Sequence, residues 1–252
     1  MTYTTLDVSR RADRLVVAMN RPEVRNAIDD QMVAELHELC GELEREPKIL
    51  ILTGTRVDGR GIFASGADIE QLKERSRDDA LRGINSAIFN RIAALPMPVI
   101  AALDGWALGG GAELALAADF RIATRNLKFG QPETGLGIIA AAGGLWRLKE
   151  IIGPTVAKEI LLAGRILDAG EALDLHLVNE VVDDPEGLID AADALADRIA
   201  KQDPLAVRLS KQLFAMPASA HPAIDNITQA ICFESEQKHV RMQAFLDRRN
   251  NK

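Results

Sequence analysis

Ala107-Leu108-Gly109-Gly110-Gly111-Ala112-Glu113 is the stretch on which the reading of this chain turns. Three adjacent glycines open an apolar, Ala- and Leu-rich segment, so an unobstructed peptide N–H can approach a ligand closely at a predicted helix N-terminus. Glu113 follows on that helix, and Phe129-Gly130-Gln131-Pro132-Glu133 brings a second acid on a loop. Backbone donors beside two carboxylates suit chemistry on a carbonyl compound. The donors take up charge developing on oxygen, and the acids move protons.

Working outward, the run Val99-Ile100-Ala101-Ala102-Leu103 precedes the glycines, and similar β-branched runs occur at Leu15 to Met19 and Ile49 to Thr53. Phe120 to Thr124 and Leu177 to Val182 read as further strands. Between them lie helical patterns, such as Met32, Val33, Leu36, Leu39 and Leu43, with Asp29 or Asp30 placed to cap. Strands spaced by helices predict an α/β fold with a largely buried sheet and crossover connections. The stretch from Val99 to Ala118 is broken by Asp104, the glycines and Glu113, so it reads as buried strand, turn and helix, not a membrane span. The loops Thr53-Gly54, Ser65-Gly66-Ala67-Asp68 and Asp104-Gly105 fall at strand ends, where ligand groups collect in such sheets. After Asp183 the pattern turns to helices punctuated by Pro185, Pro204, Pro217 and Pro222. The expected division is therefore a core, residues 1–183, carrying the site, and a helical region, residues 184–252.

Composition narrows the function. The 252 residues are 47% hydrophobic, enough for a sizeable core. Thirty Lys and Arg against 37 Asp and Glu leave a net charge of -7, which speaks against a broad nucleic-acid footprint. Cys40 and Cys232 are far apart and indicate neither a disulfide framework nor a metal cluster. The start, Met1 to Asp7, has no basic or apolar signal pattern, so a cytoplasmic setting is expected. The four histidines are scattered, with no metal-ligand or nucleophile-activating spacing.

The loop Phe63 to Ile69 adds a second glycine-bearing turn entering a polar helix. Together with Asn20-Arg21-Pro22, Ala107 to Glu113 and Phe129 to Glu133, it resembles the crotonase superfamily, specifically its enoyl-CoA hydratase branch, in order from about Leu15 to Arg165. The resemblance implies a spiral of repeated ββα units followed by C-terminal helices used for oligomerisation, as a homotrimer or a dimer of trimers. It implies that the Ala67 and Gly110 amides form an oxyanion hole for a thioester. It places the catalytic acids at Glu113, as partner of the attacking water, and Glu133, as proton donor. Coenzyme A, part of the substrate and not a separate cofactor, would be held by Val24, Arg25, Ala27, Ser65, Ala67, Asp68 and Ile69, and by Phe245 and Arg248 in the C-terminal helix. No metal is implied.

Two stretches depart from the family pattern. Glu23 stands where a basic residue is frequent. Ala140-Ala141-Ala142-Gly143-Gly144-Leu145-Trp146-Arg147 stands where many hydratases read Pro-Gly-Ala-Gly-Gly-Thr-Gln-Arg. Ala141 thus replaces a glycine whose backbone helps hold the water, and Leu145 and Trp146 are expected to make the acyl side bulkier and more apolar. Taken singly, each motif has a plainer reading. Glu113 suits the positive end of a helix, Glu133 a solvated loop, Asp68 a helix cap and Asp104 a turn. Their joint order points to hydration of an acyl-CoA thioester. The competing readings are isomerisation of an enoyl-CoA using Glu133 alone, and a non-catalytic acyl-CoA-binding or RNA-binding relative.

Overall fold

The Leu15–Met19 run lies in strand β2 (Arg14–Met19), which pairs in an antiparallel hairpin with β1 (Leu6–Arg10) and in parallel with β3 (Ile49–Thr53). This is seen in a computed structural model that describes residues 3–57 and 59–250. Two further strands of the order, β4 (Thr55–Val57) and β5 (Arg60–Ala64), belong to a second sheet. The first sheet continues through β6 (Val99–Leu103); after β7 (Trp106–Leu108) in the second sheet, β8 (Phe120–Thr124) again joins the first. The strands β9 (Lys128–Gly130) and β10 (Leu167–Asp168) complete the second sheet and β11 (Glu180–Val182) the first.

The six-stranded sheet has the order β1-β2-β3-β6-β8-β11 and the five-stranded sheet β10-β9-β7-β5-β4. Every residue of β3 and β6 is buried, which is why Ile-Leu-Ile-Leu and Val-Ile-Ala-Ala-Leu read as continuous apolar runs and not as alternation. The chain repeatedly lays one strand in each sheet and then enters a helical segment: β6, β7 and the helix Gly110–Ala117, then β8, β9 and the turn Glu133–Leu136. Those are ββα turns of a spiral, and the fold is mixed α/β with C-terminal helices.

Helix α1 (Asp30–Arg45) buries Met32, Val33, Leu36, Leu39 and Leu43, and Asp29 caps it by accepting from the Met32 N–H at 2.8 Å. After β5 come α2 (Ile69–Glu74), α3 (Arg77–Arg82) and α4 (Ile84–Ala93); α5 (Gly110–Ala117) is buried along its whole length. Asp104 does more than turn the chain. Its carboxylate accepts from Thr124 Oγ1 at 2.6 Å and Asn126 Nδ2 at 3.2 Å, and pairs with Arg56.

The chain divides into two compact units, one ending at Ala196 and the other beginning at Asp197. The division falls beyond the 183/184 boundary expected from the sequence. The reason is that Leu188, Ala192, Leu195 and Ala196 of the helix Leu188–Ala200 are buried, so most of that helix counts with the first unit. The second unit contains the helices Pro204–Phe214, Ala223–Phe233 and Glu236–Asn250 and, among the described residues, no strand. No helix of the described residues is long and apolar enough to cross a membrane.

Candidate active site

Strand β7 ends at Leu108, and Gly109 turns the chain into α5 with φ 50° and ψ -125°, a combination closed to other residues. Gly110 is then the first residue of α5, with an N–H that the helix itself cannot use. The second loop is fixed by an isolated bridge between Ile28 and Ala67. There the Ile28 N–H donates to the Gly66 carbonyl at 2.8 Å and the Asp68 N–H to the Ile28 carbonyl at 2.9 Å, which leaves the Ala67 N–H out of the ladder. Buried Asn26 secures the neighbouring segment, donating to the Ile62 and Phe63 carbonyls and accepting from the Arg21 N–H. Among the described residues neither amide has a hydrogen-bond partner, and the two are neighbours. A methyl group built on Gly110 would lie 3.3 Å from the Ala67 nitrogen, and one on Gly66 would lie 3.7 Å from the Gly110 nitrogen.

Glu113 sits in the first turn of α5 and is 4% exposed. Its Oε1 accepts from the Ala142 N–H at 2.7 Å and the Gly144 N–H at 2.9 Å. Burial pushes its carboxyl up to about 7, the two amide bonds partly offsetting this and the neighbouring Glu133 adding to it. The helix dipole acts in the opposite sense, since Glu113 does stand in the first turn of α5, but it does not outweigh burial.

Glu133 opens the turn Glu133–Leu136 and is 7% exposed, not solvated on a loop. Its Oε1 lies over Gly109, where a methyl group would come within 2.9 Å of it. With its amide nitrogen facing the acid, Gln131 donates to both Glu133 oxygens at 3.0 Å. Burial raises the Glu133 carboxyl as well.

Ala67, Gly110, Glu113 and Glu133 line one cavity of about 840 Å³. Val24, Ala27, Ser65, Asp68, Ile69 and Ala141 line it too, with Leu72, Ile84, Leu136, Ile138 and Ile139 supplying apolar wall. The Asp68 carboxylate is occupied as a cap, accepting from the Glu70 and Gln71 N–H groups, and pairs with Arg21 at 3.1 Å. Arg25, at φ 56°, faces instead an adjoining cavity of about 900 Å³ that shares Ser65 and includes Glu23 and Trp106. Phe245 and Arg248 belong to the second unit, where both are exposed on the helix Glu236–Asn250.

The Ala140–Arg147 departure is resolved in detail. Ala142 and Gly144 supply the amides for Glu113, while Ala141 faces the cavity. Leu145 and Trp146, expected to crowd the acyl side, are absent from the cavity lining, and Trp146 stacks over the Arg147 guanidinium at 4.2 Å. The sequence reading assigned no role to Gln131, Asn85 or Arg147. Asn85 Nδ2 would lie 3.5 Å from a methyl on Gly110, and nothing in its local sequence marks it. Gln131, by contrast, stood inside the quoted motif. Among the described residues no group of three or more His, Cys, Asp or Glu side chains is arranged to hold a metal ion.

Adjacent amides with two buried, elevated carboxyls beside them are an arrangement able to polarise a carbonyl and move protons next to it. The chain belongs to the enoyl-CoA hydratase/isomerase family, whose model matches residues 11–252. It is 39% identical over 242 residues to a short-chain-enoyl-CoA hydratase of Clostridium acetobutylicum, covering 93% of this chain and 91% of the relative. It is 37% identical over 257 residues to a crotonyl-CoA hydratase of Syntrophomonas wolfei, covering 99% and 97%. The crystal structure of an enoyl-CoA hydratase from Bacillus anthracis superimposes with a TM-score of 0.90 at 30% identity, over 97% of each chain.

Proposed function

We infer that this chain is an enoyl-CoA hydratase, adding water reversibly across the double bond of a trans-2-enoyl-CoA to give a 3-hydroxyacyl-CoA. The observation that carries the reading is the convergence of two free backbone N–H groups and two buried carboxyls on one cavity. In this mechanism the thioester oxygen accepts from the Ala67 and Gly110 N–H groups, which stabilise it as negative charge moves onto it. Ionised Glu113 takes a proton from water as the water oxygen bonds to C3, and Glu133, carrying a proton, delivers it to C2. Raised carboxyls suit that division, because burial favours the protonated form that Glu133 needs, while the two amides and Arg147 favour the ionised form of Glu113. Hydration is redox-neutral and balances with water alone, so we propose no cofactor besides the coenzyme A of the substrate.

Val24, Ala27, Ser65, Asp68, Ile69 and Ala141 are proposed to contact the thioester and its pantetheine arm. Arg25, Phe245 and Arg248 are proposed for the nucleotide end. The proposal extends to a homotrimer or pair of trimers, supported by the apolar residues Phe214, Ile227, Ile231 and Phe245 that the second unit leaves exposed. Free Cys40 and Cys232 agree with a reducing, cytoplasmic setting.

Incubation with crotonyl-CoA tests the reading. Loss of enoyl absorbance should accompany a mass gain of one water in the product. Conversion of a 3-enoyl-CoA to its 2-enoyl isomer without hydration would overturn it in favour of isomerisation. Tight RNA binding at physiological salt without turnover would favour the non-catalytic alternative.

A further inference from the structure

Arg147 is 7% exposed, yet among the described residues it forms no salt bridge. Its Nη2 donates to Asn90 Oδ1 at 2.7 Å, from α4, and its Nη1 to the Ala142 carbonyl at 3.4 Å. The Trp146 ring covers its other side. A cation held this far from water carries a desolvation cost, which lowers its basicity.

The turn that Arg147 grips is the one that holds Glu113. The Arg147 N–H donates to the Gly143 carbonyl at 2.9 Å, and the side chain passes so close to Gly143 that a methyl there would lie 2.1 Å from Nη1. Gly143 also has φ 125°, so the turn closes around the guanidinium only with glycine in that place. The residues on either side of Gly143, Ala142 and Gly144, donate the two hydrogen bonds to Glu113 Oε1.

We propose that Arg147 is a positioning residue for Glu113: its guanidinium holds the Ala142–Gly144 turn in the shape that aims two N–H groups at the carboxylate, and sets a positive charge behind it. The charged groups that face Glu113 are Glu133, from the turn after β9, and Arg147 itself; Arg147 in turn faces Glu113 and Glu150. Arg147 therefore opposes both the burial and the Glu133 charge that work against an ionised Glu113. The inference builds on the hydratase reading for its kinetic test but not for its second test.

Turnover of crotonyl-CoA is measured from about pH 5 to pH 9 for wild type, Arg147→Met, Arg147→Lys and Asn90→Ala. Arg147→Met should lower kcat about tenfold or more with KM within about twofold, and move the acid limb of kcat up by about one pH unit. Arg147→Lys, which keeps the charge but not the two-pronged grip, should lower kcat and move the limb up by less than Arg147→Met does, because only the aim of the two amides is lost. Asn90→Ala should behave like Arg147→Lys. An unmoved limb in Arg147→Met overturns the proposal, and so does wild-type kcat in Arg147→Lys should the Met variant fail to fold. Ionisation of Glu113 is also read without turnover, as the pH range over which the melting temperatures of the parent chain and its Glu113→Gln variant diverge. In an Arg147→Met background the lower end of that range, set by the unfolded chain, should stay in place while the upper end moves up by the same amount, and an unchanged upper end refutes the Arg147 role even if crotonyl-CoA proves not to be a substrate. An inactive wild type, in contrast, overturns only the hydratase reading.

Discussion

Glu113→Gln should stabilise the protein while disabling it, and the pH dependence of that stabilisation identifies its cause. In the folded chain burial moves the Glu113 carboxyl from 4.5 to about 7. The unfolded chain releases this proton above about pH 4.5, whereas the folded chain keeps it until about pH 7. Wild-type stability therefore falls across that interval and stays lowered above it. At about 1.4 kcal/mol per unit, the cost above pH 7 is about 3 kcal/mol. Glutamine retains a carbonyl oxygen for the Ala142 and Gly144 N–H groups and carries no charge to desolvate. The variant should melt with the wild type near pH 4 and about 5–10 °C above it at pH 8. Differential scanning calorimetry of both proteins at a series of pH values measures this, with turnover followed in parallel and expected to fall by orders of magnitude. Parallel melting curves at every pH, or a variant less stable than wild type at pH 8, would refute the claim that burial raises the Glu113 carboxyl in the folded chain.

Two further perturbations probe other parts of the structure. Gly109→Ala would place a methyl 2.9 Å from Glu133 Oε1 at a residue with φ 50°, so kcat for hydration should fall about 100-fold, measured by loss of enoyl absorbance; a variant with wild-type kcat would show that Glu133 is not needed where it lies. Glu35 is buried beneath Thr4 and Thr5 and accepts from both of their N–H and both of their hydroxyl groups, which together overcome burial and hold its carboxyl down to about 2. Its ionised form contributes stability above about pH 4.5 that is lost as pH falls through 2, so Glu35→Gln should lower the melting temperature at pH 7 and converge with wild type toward pH 2, and a constant difference would contradict this.

The parts of the fold legible in the sequence are those in which one short segment carries its own signal. Ile49 to Thr53 and Val99 to Leu103 coincide with β3 and β6, because strands buried on both faces must be apolar at every position. The capped face of α1 was equally plain. The second sheet was not: Arg60-Gly61 and Lys128-Phe129-Gly130 carry charge and glycine, show no alternation, and become strands only because β7 lies between β5 and β9 to pair with both. Leu177 and Val178, taken as strand residues, are buried in the turn before β11.

At the site, Ala67, Gly110, Glu113 and Glu133 do line one cavity, and that they belong together could be read from the chain, since glycine marks where backbone must be bare. What state those acids are in could not. The amides that grip Glu113 come from residues 29 and 31 positions away, the acid that repels it from another turn, and Arg147 from a segment anchored to α4. Electrostatic energy depends on distance and on how much water is excluded, and both are set by packing among segments remote in sequence. The chain order could supply the candidate groups; their basicity and aim came from the folded interior around them.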